Sequence, residues 1–217
     1  MRTNYPIKGL LRFYFYTQSG NIAGIALLCL ALAAAALITG NFFIYNGFFM
    51  VSVAGLPYII IMGMGGKEYP KWERFRITMP IKRGDLASAQ YLCILLASLA
   101  GLPLAVLVAI LTFNIHEIDY NLTTALLNIL SVLATPLLFA GLVFPLGNTK
   151  FAENKQEIFI FLCLAVTVGV NMVLIPRIGN RFNLVDGITS LIAFAVALIV
   201  FTGGYYIQRN LYTKMDF

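Results

Sequence analysis

Residues Lys67 to Asp85 read KEYPKWERFRITMPIKRGD, and the fold follows from the contrast between this stretch and its flanks. It holds six of the fifteen Lys and Arg residues (Lys67, Lys71, Arg74, Arg76, Lys82 and Arg83) and three of the nine acids (Glu68, Glu73 and Asp85). Long apolar runs lie on both sides. A charged interval between two runs long enough to cross a bilayer reads as a loop at the membrane surface. Its concentrated charge makes it the place where the chain meets a partner.

The bulk composition agrees. Of 217 residues, 60% are hydrophobic and only 11% charged, with a mean hydropathy of +0.85. Soluble domains carry about 25% charged residues. The chain is therefore read as a single all-α integral membrane domain over residues 1–217. No interval outside the apolar runs approaches the ~50 residues of an independent domain, so any ATPase has to be another chain. The net charge of +6 is scattered among loops and forms no basic face of the kind that binds nucleic acid. Cys29, Cys93 and Cys163 sit in apolar runs without metal-ligand spacing and read as small buried side chains.

Before the first long run, Ile7, Leu10, Leu11 and Tyr14 fall at helical spacing, with Lys8 and Arg12 on another side. The expectation is an interfacial helix over about residues 5–18, with Phe13, Tyr14, Phe15 and Tyr16 at headgroup level. The next run is too long for the apolar region of a signal peptide, which is about 7 to 15 residues. Six membrane spans are expected, at about residues 21–39, 43–65, 86–113, 122–145, 157–176 and 187–207. Each is near the ~20 residues a bilayer requires. Pro57, Pro103 and Pro136 interrupt three of them. In lipid, such breaks imply that the helix faces protein or a cavity there.

With six spans, Arg2, Lys8, Arg12, the six cations of the opening stretch, Lys150, Lys155, Arg209 and Lys214 fall on one side. Only Arg177 and Arg181 fall on the other. The positive-inside rule places the first group, both termini and the opening stretch in the cytoplasm. No charged residue lies within a span, Asp85, Glu157 and Asp186 being at helix starts. Ion-coupled transporters keep such groups in the membrane at considerable cost. Energy for any uphill transport would instead enter from a cytoplasmic partner.

Within the opening stretch, Pro70 suits the first turn of a short helix, and Met79 before Pro80 ends it. Trp72, Phe75, Arg76 and Met79 then share one side, a pattern that fits a groove on another protein. Glu73 and Arg74 flank it. The same residues would equally suit an interfacial anchor on anionic lipid. Gly84 then breaks the chain and Asp85 caps the third span, so movement of the short helix would pass into that span.

The run Trp72-Glu73-Arg74, then Met79-Pro80-Ile81-Lys82-Arg83 and Ala89-Gln90-Tyr91-Leu92, resembles the E-x-L-P-x-[ST]-R … K-Y-L pattern of ABC type 2 transporter permeases. Within these it is most similar to the small bacterial permeases of the phenol-soluble modulin exporter type. Met79, Lys82 and Gln90 depart from the usual Leu, small hydroxyl residue and Lys. The resemblance implies a coupling helix that docks on an ATP-binding subunit through Trp72, Glu73, Arg74, Phe75, Arg76, Met79, Pro80 and Arg83. It implies a bacterial cell-membrane exporter of amphipathic or hydrophobic peptides, working as a homodimer or a heterodimer with a second permease. ATP and magnesium would belong to the partner, with no cofactor and no catalysis in this chain. Two other classes remain open: a six-helix solute-binding subunit for uptake, which would bind a small molecule without ATP, and a non-transporting membrane regulator.

Other motifs carry less. GMGGKE (Gly63 to Glu68) lacks the GxxxxGK[ST] of a phosphate-binding loop and follows a membrane helix. His116, Glu117 and Asp119 read as a solvated loop. Asn46, Ser52, Asn128, Ser131, Thr135 and Asn171 are polar residues in apolar spans. They read chiefly as helix-to-helix hydrogen-bonding groups, with Asn46, Asn128 and Asn171 the candidates to line a substrate path. Gly20/Gly24 and Ala31/Ala35 have spacing that permits close packing of the first span.

Overall fold

The computed structural model of the chain describes residues 5–64, 83–116, 122–146, 156–170 and 186–214. Among these residues all regular structure is helical. The helices are α1 (Tyr5–Thr17), α2 (Ser19–Thr39), α3 (Phe42–Met64), α4 (Arg83–Ile115), α5 (Leu122–Leu146), α6 (Gln156–Val168) and α7 (Asp186–Lys214). Five of them, α2, α3, α4, α5 and α7, are long and apolar enough to cross a membrane. The described part of α6 is 13 residues, about 20 Å at 1.5 Å per residue. Residues 171–176 of the expected fifth span lie outside the described residues.

The outermost helix makes the case for lipid. α2 is apolar on all sides, yet only 17% of its span is buried within the chain. Leu27, Leu30 and Ile38 point outward and are well exposed. Such a surface is stable only in an apolar medium. The seam that α2 presents to the protein is Cys29, Ala33 and Ala36, packed on α3 and α4 through Phe48 and Val108 and through Tyr45 and Phe49. This corrects the small-residue reading. Gly20 and Gly24 have nothing within 4 Å of the position a Cβ would take, and Ala31 is exposed.

α4 and α5 occupy the centre, α3 packs on both, and α7 makes its most extensive contact with α5. The chain runs up and down, so the bundle has two ends. The Asp85 end holds α1, the end of α3, the start of α4, the end of α5, the start of α6 and the end of α7. They share one apolar cluster that includes Leu10, Tyr14, Ile60, Leu86, Tyr91, Phe144, Phe159 and Tyr212. The opposite, His116 end holds the α2–α3 turn, the end of α4 and the starts of α5 and α7.

Close helix approach is set by glycines. A Cβ at Gly101 on α4 would collide with the Ser52 carbonyl oxygen of α3. A Cβ at Gly141 on α5 would sit 2.7 Å from the Val200 carbonyl oxygen of α7, and one at Gly204 would meet Gly141 in return. These backbones touch because neither side carries a side chain. Of the three prolines expected to face protein, Pro57 and Pro136 are fully buried, whereas Pro103 is exposed on the outer side of α4. Within this chain Pro103 faces outward because α4 turns the neighbouring Gly101, two residues earlier, towards α3.

Three expectations about element ends change. α4 is already helical at Arg83, so Gly84 lies inside it, and Asp85 sits in its first turn rather than at its cap. A first-turn carboxylate still favours the positive end of the helix dipole. α1 forms where the periodicity placed it, but Leu10 and Tyr14 are buried against the bundle, with Ile7, Leu11, Phe13 and Phe15 packed alongside. Only Tyr16 of its aromatic group is freely exposed, at 82%. α7 continues past residue 207 to Lys214, carrying Arg209 on its last turns.

Candidate functional site

The residues of the expected coupling helix, Trp72, Glu73, Arg74, Phe75, Arg76, Met79 and Pro80, lie outside the described residues. Arg83 is the first residue of α4. What the structure does show is the joint into which that stretch leads. α4 presents Gly84, Ser88 and Tyr91 at helical spacing to α7, which presents Phe201, Gly204, Tyr205, Arg209 and Tyr212 in return.

Ser88 donates to the Gly84 carbonyl (3.0 Å) and lies 3.1 Å from the Tyr205 hydroxyl. A serine has one proton to give. With it committed to Gly84, Tyr205 is the donor across the helix gap. About two turns of α7 further on, Tyr212 donates to the Gln90 Oε1 at 3.3 Å, both side chains being buried. The Arg209 Nε lies 3.4 Å from the position of a Gly84 Cβ, so the guanidinium crosses α4 where α4 has no side chain.

Tyr91 stands at the centre of the joint. Its ring meets Phe144, Phe201 and Tyr205 edge to face, with centroids 5.2, 4.9 and 5.5 Å away. Such pairs prefer this tilted geometry, which opposes positive edge to negative face. The hydroxyl is buried and has no hydrogen-bond partner among the described residues. It lies 2.8 Å from the position of a Gly204 Cβ, so Gly204 provides the space that the ring occupies. The resemblance drawn from the sequence contained Tyr91 as a point of likeness and Gln90 as a departure, neither with a role in packing. Ser88, Tyr205, Arg209 and Tyr212 carried no signal, because hydroxyl and aromatic residues at span ends are ordinary membrane-interface composition.

The other candidate residues are dispersed. Asn46 is half-buried on α3, Asn128 lies on α5, and Asn171 is outside the described residues. Ser131 donates to Ser190 across the α5–α7 contact at 2.9 Å, as expected of helix-to-helix bonding. Ser52 and Thr135 instead donate back into their own helices, to Phe49 and Ser131.

At the His116 end, the solvated-loop reading is corrected for the imidazole. Gly40 ends α2 in the left-handed conformation (φ 61°), its N–H bonded to the Ala36 carbonyl. The His116 ring lies against Gly40, 2.7 Å from the position of a Cβ, and its Nε2 is 3.0 Å from the Leu37 carbonyl oxygen. His116 therefore pins the end of α4 to the last turn of α2. Glu117 and Asp119 lie outside the described residues.

The family comparison follows the same architecture. The description "ABC-2 family transporter protein" matches residues 10–213, from the buried Leu10 of α1 to the last turn of α7. The chain belongs to the ABC-2 transporter family. As an ABC-2 protein it is the membrane permease subunit of an ABC transporter, itself non-catalytic, and its family implies an ABC ATP-binding partner. The opening stretch is contained in the match, as are both halves of the α4–α7 joint. No curated protein and no solved structure matches the chain.

Proposed function

We infer that this ABC-2 permease belongs to an ATP-driven exporter and that residues 67–85 are its contact with the ATP-binding subunit. The observation that carries this reading is the position of the α4–α7 joint. The stretch opens directly into the first turns of α4, which are bonded to α7 and packed against α1. A push on the short helix has a rigid element to act on. In this reading Trp72, Phe75 and Met79 sit in a groove of the ATPase, with Glu73, Arg74, Arg76 and Arg83 meeting its charges. The stretch and both termini are cytoplasmic, six crossings complete the bundle, and two permeases together bound the path. ATP-driven closure of the two ATPases would then switch the pair between inward-open and outward-open states.

The cargo that fits is an amphipathic or hydrophobic peptide. That choice rests on likeness to the peptide-toxin exporters and on the apolar character of all the spans. The test is purification of the chain with its co-encoded proteins. An ABC ATPase co-elutes, and Trp72→Ala or Phe75→Ala reduces the response of its hydrolysis rate to the permease by tenfold or more. Unchanged coupling in both variants would sink the docking role. Tight, ATP-independent binding of a small solute by the isolated chain would favour an uptake subunit instead.

A further inference from the structure

The start of α4 is held by two hydrogen bonds and an aromatic enclosure, all contributed or closed by α7. Ser88 meets Tyr205 at 3.1 Å and Gln90 meets Tyr212 at 3.3 Å. These contacts lie about two turns apart along α7, and on α4 both fall within the turn that precedes Tyr91. On α7 both follow Gly204, Tyr205 immediately, and at Gly204 α7 and α5 approach backbone to backbone. By contrast, α2 packs mainly through a seam of small side chains and is linked at its far end through His116.

From this arrangement we propose that Ser88, Gln90, Tyr205 and Tyr212 form a latch that makes the base of α4 move as one body with α7 and α5. α2 is left as the helix against which that body shifts. The four are positioning residues. None is assigned to cargo or nucleotide; they fix which helices follow the coupling stretch. The latch rests on the coupling reading above for its role, but its existence does not.

The arrangement has an internal control. Three tyrosines line the joint, and a Tyr→Phe change removes one oxygen from each. Tyr205 and Tyr212 lose a cross-helix hydrogen bond. Tyr91 loses a hydroxyl that has no hydrogen-bond partner among the described residues. Buried hydrogen bonds hold geometry, whereas an unpaired hydroxyl only costs desolvation.

The experiment uses the permease with its ATPase in lipid nanodiscs, carrying spin labels on exposed positions introduced as Leu92→Cys on α4, Ile207→Cys on α7 and Leu27→Cys on α2. On addition of ATP and vanadate, the α4–α7 distance keeps its centre and width while the α4–α2 distance shifts. Tyr205→Phe combined with Tyr212→Phe broadens the α4–α7 distribution in the ATP state, and Tyr91→Phe leaves it as in the parent. An α4–α7 distance that changes as much as the α4–α2 distance in the parent overturns the latch, as does broadening by Tyr91→Phe equal to that of the double variant. If no pair responds to ATP, the coupling reading has failed, and the latch is judged on thermal unfolding of the isolated chain. There, Ser88→Ala and Tyr205→Phe lower the midpoint non-additively if the bond exists; additive effects overturn it.

Discussion

A single methyl group at Gly204 would have to displace both the Gly141 backbone and the Tyr91 hydroxyl. Backbone cannot yield as a flexible side chain does, so Gly204→Ala is expected to cost about 1–3 kcal/mol of stability, the usual range for overpacking. Gly141→Ala meets α7 backbone in the same way, and the double variant should lose less than the two single losses combined, because both probe one contact. Thermal unfolding in detergent measures this; a neutral Gly204→Ala would mean that the helices are not in backbone contact. At the far end, Gly40→Ala places a side chain both in the left-handed region and against the His116 ring. It should destabilise by more than the ~1 kcal/mol expected for losing the His116 hydrogen bond in His116→Ala. Equal effects of the two variants in the same assay would show that the ring, and not the backbone conformation, dominates there.

α1 separates the two things that a helix at a membrane boundary can do with its apolar face. The periodicity of Ile7, Leu10, Leu11 and Tyr14 located the helix correctly, because 3.6-residue spacing is a local property. It did not distinguish lipid from protein as the medium, since both reward burial of the same face. The structure puts Leu10 and Tyr14 in the cluster at the base of α4 and leaves Lys8 and Arg12 exposed. Leu10→Ala should therefore cost roughly 2–5 kcal/mol, as for a core truncation, while Lys8→Gln with Arg12→Gln stays within about 0.5 kcal/mol. The two variants are compared by unfolding midpoint in a neutral detergent, where no anionic lipid contributes. Loss of stability only in the charge variant would return α1 to a lipid-anchoring role. The α4–α7 joint was illegible for a related reason. Its members are small hydroxyl and aromatic residues at span ends, 117 residues apart in the case of Ser88 and Tyr205, and no local pattern reports a pairing at that separation. For α2, small-residue spacing named Gly20, Gly24, Ala31 and Ala35, whereas the seam runs through Cys29, Ala33 and Ala36. In a span so rich in alanine, composition does not choose the face; the partner does.

At the scale of the whole molecule, the membrane class was legible because it depends on bulk apolarity and on run length, which survive any error in packing. The number of crossings rests on parity. Leu10 and Tyr14 of α1 share a cluster with Tyr212 near the end of α7, so the two ends of the chain meet at one end of the bundle. An even number of crossings is what the proposed topology puts between them. Five helices have spanning length, and α6 begins at the Asp85 end while α7 begins beside Leu127 and Ser131 at the other. In the proposed topology the sixth crossing falls in the interval 156–186. Cysteines introduced as Lys71→Cys, Lys150→Cys and Asn180→Cys test this with a thiol reagent that does not cross the membrane, because the native cysteines are buried. In intact cells Asn180→Cys should label, and Lys71→Cys and Lys150→Cys should label only after permeabilisation. Labelling of Lys71→Cys from outside would invert the protein and remove the opening stretch from the reach of any cytoplasmic ATPase. Labelling of Asn180→Cys only from inside would place residues 150 and 180 on one side, leaving no sixth crossing and contradicting the shared cluster at the base of the bundle.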